Sequence, residues 1–311
     1  MLKEKKSCKM NHGLVASCSP RHPPLVEIIC DGGQDYGYGH LCRSAALAWE
    51  LKSRNLGVRF RALSPDVAGK HPSVPHDDGD LSLVIIDLPY NGDPWITMAR
   101  ELAVPVLTLD FIGSSTRPDL DISIWDRGSA SAGTLQKIGL EFAIIRQEII
   151  QVYPAAQKTG SGVLVIVGGQ DIKGLGPVIA SRLAEMGQEV TLVEGPLNAV
   201  RSSYQDKGYV RLRTPIDLPQ RMANCAWAVT NGGATMMEMM FLGKPTWVVP
   251  QTDAEAGLAN LIAKQGGIFG VGLEGLTVPT LEQCTATAIC ASRLVDGTGL
   301  KRIADEGMAL L

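Results

Sequence analysis

The chain has 311 residues, enough for two domains of roughly 100–200 residues, each with a sizeable core. Its 29 Lys and Arg against 32 Asp and Glu leave a formal net charge of −3 at pH 7. That balance gives no ground for a polyanionic partner and disfavours nonspecific nucleic-acid binding. With 45% hydrophobic and 20% charged residues, the composition is globular rather than disordered or fibrous.

The 34 glycines exceed the usual share of about 7% and point to tight strand-to-helix turns or close backbone approach to a ligand. The seven cysteines, Cys8, Cys18, Cys30, Cys42, Cys225, Cys284 and Cys290, are odd in number and form no CxxC pair. Neither a disulfide framework nor a zinc site is indicated, and reduced thiols fit a cytoplasmic location. Residues 1–24 carry the positive charge of a secretion signal without its apolar stretch, and read as a loose extension. No apolar run approaches the ~18 residues of a membrane span.

From Leu25 onward, short apolar runs rich in β-branched residues alternate with helical patterns, the signature of βαβ units and parallel sheets. In the first half LVEIIC, VRFRAL, LVIIDL and VPVLTLD read as strands, and HLCRSAALAWELKSR and PWITMARELA as helices. YPAAQKTGSG (Tyr153–Gly162) combines Pro, Gly, Ser and Thr without periodicity, and is the expected linker. A second series follows, with VLVIVGG, EVTLVEG, YVRLRTP, WAVTNGG and PTWVVP as strands and LGPVIASRLAEMG, TMMEMMFLG and EAGLANLIAKQ as helices. The expected architecture is α/β, with two Rossmann-like doubly wound domains, 25–152 and 163–311, facing a cleft at the carboxyl ends of both sheets.

Two glycine turns carry most of the chemistry. In DGGQDYGYGHLCRS (Asp31–Ser44), Gly37 and Gly39 allow a sharp turn, and His40 falls at a helix start. A neutral imidazole there can act as a general base; a capping histidine in a glycine-rich turn is the equally weighted alternative. The spacing is not GxGxxG, because Cys42 stands where the third glycine belongs, so a nicotinamide enzyme is disfavoured. In TNGGATMMEMMFLGKP (Thr230–Pro245), a strand ends in Asn231-Gly232-Gly233 and a helix begins at Ala234-Thr235. Bare amides there form an anion site, and Glu238, one turn on, can accept both hydroxyls of a ribose. A plain glycine turn with a solvated Glu is the simpler alternative. Met236, Met237, Met239 and Met240 read as core filling. Gly168-Gly169 in VLVIVGGQD repeats the strand-then-glycine pattern. Asp87 and Asp110 end strands, and Tyr90 and Trp95 offer stacking faces. No P-loop, GxSxG elbow, HExxH or metal-ligand cluster occurs, so neither metal nor cofactor is expected.

Together these segments resemble the UDP-sugar hydrolase of pseudaminic acid biosynthesis and the related spore-coat polysaccharide glycosyltransferase-like proteins, which have the two-domain GT-B fold of MurG-type glycosyltransferases. GYGHLCRSAALA, VIIDLPY, LEFAIIRQEI, VIVGGQD, TNGGATMMEMMFLGKP and LVDGTGLKRI match in family order from about residue 25 to the C-terminus. The resemblance implies His40 as base, Arg43 and Asp87 as cleft residues, and Gly232, Gly233, Ala234, Thr235 and Glu238 about the nucleotide; the turns themselves add Gly37, Tyr38, Gly39 and Tyr90 on the substrate side and Gly168, Gly169 and Asn231 on the nucleotide side as expected site residues. Where the family usually shows an Asn-Gln pair, this chain reads PQTDAEAGLANL, which puts Gln251, Asp253 and Glu255 at the expected sugar contacts. The implied activity is hydrolysis of a UDP-linked amino-deoxy sugar by inverting C–O cleavage, in nonulosonic acid or surface polysaccharide biosynthesis. A glycosyltransferase on the same scaffold is the first alternative, and a non-catalytic nucleotide-sugar-binding protein the second.

Overall fold

The computed structural model describes residues 23–34, 36–65, 76–127, 133–156, 160–198 and 208–311. All but the last two residues of the expected N-terminal extension therefore lie outside the described residues.

Two six-stranded parallel sheets form the frame. The first contains β1 (Leu25–Cys30), β2 (Gly57–Ala62), β3 (Leu81–Asp87), β4 (Val106–Leu109), β5 (Leu120–Ser123) and β6 (Gln136–Ile138), in the order β2-β1-β3-β4-β5-β6. The second contains β7 (Val163–Ile166), β8 (Val190–Glu194), β9 (Val210–Arg213), β10 (Trp227–Thr230), β11 (Thr246–Val248) and β12 (Gly270–Val271), in the order β12-β11-β10-β7-β8-β9. The continuous apolar runs of β1, β4, β7 and β10 are buried along their whole length, as strands covered by helices on both faces must be. Each strand expected from the sequence is present. The two short edge strands β6 and β12 lack an apolar run that would announce them.

The helices are α1 (Gly39–Ser53), α2 (Asp93–Glu101), α3 (Gln147–Ala156), α4 (Leu175–Glu185), α5 (Leu218–Asn224), α6 (Ala234–Phe241), α7 (Asp253–Lys264), α8 (Leu281–Leu294) and α9 (Gly299–Met308). The four methionines of α6 are buried in the core of the second half, as expected. Among the described residues no helix is long and apolar enough to cross a membrane.

Two elements depart from the expected division. Tyr153–Ala156, read as linker because of Pro154, belong to α3, and Ile149 of that helix packs into the core built around α6. Proline weakens a helix chiefly through the preceding turn, so the helix still closes two residues beyond it. At the other end, α9 leaves the second half and returns to the first. Ile303 and Ala304 join the core of β1, β3 and β4. Arg54 pairs with Asp305, and Lys137 with Glu306 at 2.5 Å. Gly299 has no room for a side chain, since a Cβ would sit 2.3 Å from the Ala143 carbonyl oxygen. The chain thus crosses between its halves twice.

Each sheet has one place where the strand order reverses: between β1 and β3 in the first, and between β7 and β10 in the second. Loops leaving neighbouring strands in opposite directions open a crevice at such points, where ligands of open α/β sheets bind. The turn that leads into His40 follows β1. The Gly168-Gly169 and Asn231-Gly232-Gly233 turns follow β7 and β10. The three glycine turns singled out in the sequence therefore occupy the two switch points.

Candidate functional site

At the first switch point, Cys30 and Asp87 are register partners at the ends of β1 and β3. Gly33 and Gly37 exchange backbone bonds of 2.9 and 2.7 Å, and Gly37 adopts φ +73°, a conformation open to glycine. This closes the loop and starts α1 at Gly39, with Tyr38 as an N-cap that supplies no side-chain bond. No atom lies within 4 Å of where a Gly39 Cβ would stand, so this helix start is open. His40, one residue on, directs Nδ1 at Asp87 Oδ1, 2.6 Å away. With Nδ1–H donating to that carboxylate, Nε2 is left as the ring's acceptor, the state a general base requires.

Asp87 is expected from the resemblance to line the cleft. It is instead fully buried, and its oxygens are committed within the protein. Arg43 donates from Nε at 2.9 Å and from Nη2 at 2.6 Å, and Ser44 Oγ donates at 2.7 Å. Arg43 also turns inward rather than into open space, and its Nη1 donates to Asp110 Oδ2 at 2.7 Å. Burial works against the Arg43 charge, but Asp87 and Asp110 outweigh it and hold the guanidinium more firmly protonated. The Tyr90 hydroxyl donates to Asp31 at 2.6 Å, and its ring lies tilted against Tyr36. Burial and that bond push the Tyr90 phenol up.

Burial alone would raise the Asp87 carboxyl, yet Arg43 and His40 beside it keep it well below the usual carboxylate range. A carboxyl depressed on folding contributes stability that is present above its unfolded value, about 3.9, and is lost as the pH falls through the folded value. Urea unfolding free energies should hold from pH 7 to about pH 5 and drop below about pH 4. Asp87→Asn should flatten that acid limb; a limb as steep as in the wild type would mean that Asp87 is not coupled to folding.

At the second switch point the two glycine turns face different neighbours. Gly232 has no freedom to make room for a ligand, because a Cβ there would lie 2.7 Å from both Cβ and O of Glu255. Its small size serves packing against the start of α7. Gly233 and Gly169 are the open positions: only the Asn231 side chain comes near a Cβ at Gly233, and nothing at Gly169. Gly168 adopts φ +82°. The start of α4 is closed by its own chain, since Asp171 accepts from the amides of Leu175 and Gly176 at 2.8 and 2.7 Å. The start of α6 has no side-chain cap. Of the two helix starts at this switch point, the one headed by Ala234 and Thr235 therefore remains available to an anion.

Gln251 and Glu255, expected at the sugar, are engaged locally. Gln251 donates to the carbonyls of Val167 and Gln170 at 2.9 and 3.1 Å, bracing the Gly168-Gly169 turn. Glu255 accepts from Asn231 Nδ2 at 2.6 Å and from the Gln251 amide at 2.7 Å. Asp253 begins α7 and is exposed.

The halves meet over these turns. Glu238, expected to face a ribose, is 2% exposed and accepts from Arg146 Nε and Nη2 at 2.5 and 2.8 Å. Cys42 of α1 senses the charges of both. Trp125, just after β5, lies against Gly257 of α7, where a Cβ would be 2.8 Å from the ring. Arg127, two residues on, places Nη2 3.8 Å from Asp110 Oδ2. Asp110 is offered by the sequence only as a strand-end acid, Trp125 and Arg127 carry no signal there, and Arg146 carries one only through the LEFAIIRQEI match. Among the described residues, no group of three or more His, Cys, Asp or Glu is arranged to hold a metal ion.

No protein-family model matches the chain. An uncharacterized protein of Methanocaldococcus jannaschii, MJ1062, is 24% identical over 276 residues, covering 74% of this chain and 56% of that protein. The chain thus spans little more than half of this curated relative's length. Among solved structures, Acinetobacter baumannii MurG superposes with a TM-score of 0.64 at 14% identity, covering 92% of this chain and all of the other. The glycosyltransferase SsfS6 of Streptomyces sp. SF2575, complexed with thymidine diphosphate, gives 0.60 at 13% identity, covering 92% of this chain and 99% of its own. Two parallel six-stranded sheets with flanking helices, superposing over nearly the whole chain, give this protein the two-domain GT-B fold of glycosyltransferases.

Proposed function

We propose that the protein is an enzyme of the glycosyltransferase type that takes a glycosyl group from a nucleoside-diphosphate sugar, a UDP-sugar being the expected donor. The observation that carries this reading is the pairing of the two switch points: a histidine held by a buried aspartate at one, an uncapped helix start beside open glycines at the other. In this reading the diphosphate sits on the amides of Ala234 and Thr235, where the α6 dipole favours negative charge. His40 Nε2 takes the proton of an acceptor hydroxyl as that oxygen bonds to the anomeric carbon. The C–O bond to the diphosphate breaks, and UDP leaves with the electron pair. A single displacement of this kind inverts the anomeric centre. The His40–Asp87 pairing supports this reading over one of nucleotide-sugar binding alone.

Hydrolysis is the second reading, with water as acceptor, favoured by the six matching segments around GYGHLCRS and TNGGAT. The SsfS6 and MurG likenesses of fold support the transferase reading over it. Both are tested by incubating the protein with UDP- and TDP-sugars, with and without sugar acceptors, while following nucleotide release. Release only when an acceptor is present supports transfer, and release in water alone supports hydrolysis. No release together with no calorimetric binding of UDP or TDP would overturn the proposal. The anion subsite has its own arm. Proline is tolerated at the first helical position and removes one N–H, so Ala234→Pro should leave the melting temperature unchanged. It should weaken UDP binding by about 1.5–3 kcal/mol, the worth of one charge-assisted hydrogen bond.

A further inference from the structure

The His40–Asp87 pair is one part of a larger ion cluster whose two aspartates, Asp87 and Asp110, are buried. Asp110 ends β4 with φ +53°, a left-handed conformation that Asp and Asn tolerate better than most residues. It is 3% exposed. Oδ2 accepts from Arg43 at 2.7 Å, and Oδ1 has no partner. A buried carboxylate with one oxygen unsatisfied, on a strained backbone at a strand end, is costly to keep. What it does locally is hold Arg43. That guanidinium spans three neighbours: Nη1 on Asp110, Nε and Nη2 on Asp87, and Nη2 also 3.2 Å from His40 Nδ1. The planar fork of arginine suits such a bridge, whereas a lysine would reach one partner as a point charge.

We propose that Asp110 and Arg43 are positioning residues for His40: Asp110 draws on the Arg43 guanidinium, Arg43 offsets the charge of Asp87, and the balance between the two sets how much negative charge the imidazole meets. Neither touches substrate in this scheme; Asp110 acts through Arg43, and Arg43 acts through Asp87 and through its own approach to the ring. The proposal rests on His40 acting as base, but its test does not depend on turnover. Among the described residues, the charged groups against the ring are Asp87 from β3 and Arg43 from α1; beyond that pair stand Asp110 from β4, Arg127 after β5, Cys30 and Asp31 at the end of β1, and Cys42 of α1 with Arg146 and Glu238 beside it. Removing the Asp110 charge leaves the cluster more positive and makes protonation of the ring harder. Removing the Arg43 charge does the opposite.

The experiment is an NMR pH titration of the histidine rings in the full-length protein, with the His40 signal assigned by its loss in His40→Gln. Asp110→Asn keeps the size and the backbone preference of the residue. It should move the His40 midpoint down by about half to one pH unit, and Arg43→Gln should move it up by a similar amount. Once a donor sugar is in hand, the acid limb of the kcat profile should move in the same directions. A merely structural role would weaken both variants without moving the two midpoints in opposite senses. Midpoints that stay at the wild-type value, or shift the same way, overturn the proposal. If Arg43→Gln fails to fold, Asp110→Asn decides alone, and an unmoved midpoint there overturns it. Shifted midpoints in a protein that turns over no nucleotide sugar would leave the charge network standing and sink the proposed function instead.

Discussion

His40→Ala is expected to lower kcat by about 10²–10⁴, the usual worth of a positioned general base, while calorimetric UDP affinity changes little. The separation follows from the architecture. His40 stands on α1 at the switch point of the first sheet, and the uncapped helix start belongs to the second. Removing the ring takes away the proton acceptor without touching the amides that would hold the diphosphate. A variant that turns over like the wild type would make His40 a helix-start residue and nothing more. A variant that loses UDP affinity as well would place the nucleotide against the first half, contrary to the proposed arrangement.

The second large effect is expected at Arg146. Its guanidinium donates two hydrogen bonds to the carboxylate of Glu238, which is buried. Arg146→Met would leave a buried carboxylate without its counter-charge, a loss that typically costs about 3–5 kcal/mol. The lower end applies here, because the Arg146 side chain is 39% exposed and water can stand in for part of it. Replacing both members, as in Arg146→Met with Glu238→Leu, should recover most of that stability, since an apolar pair of similar volume avoids the desolvation of two charges. Urea unfolding of the single and double variants measures both quantities. Equal stability of Arg146→Met and the wild type would show that water satisfies Glu238 as well as the arginine does.

The sequence carried the class of fold and the position of its turns. Runs such as LVEIIC and VLVIVGG, too apolar to face water on either side, imply strands buried between helices. Glycines after β1, β7 and β10 mark turns where a side chain would obstruct either the backbone path or a neighbour. These are local signals, since period and turn chemistry are set by residues within one or two turns of each other. They suffice to mark the GYGH and TNGG segments, which the fold sets at the two switch points.

What the side chains at those turns do was decided by the tertiary structure. Asp87 reads in sequence like any acidic residue at a strand end, and its burial beneath His40, 47 positions away, follows from the pairing of β1 with β3 that sets it beside Cys30. Arg146 meets Glu238 across 92 positions, because α3 crosses to pack on the second core. Gly232 looks like a ligand-facing glycine until the start of α7 is seen filling the space above it. The physical reason is common to all three. A charge or a missing side chain declares its need locally, but what meets that need is whatever the folding of distant segments brings within about 3 Å.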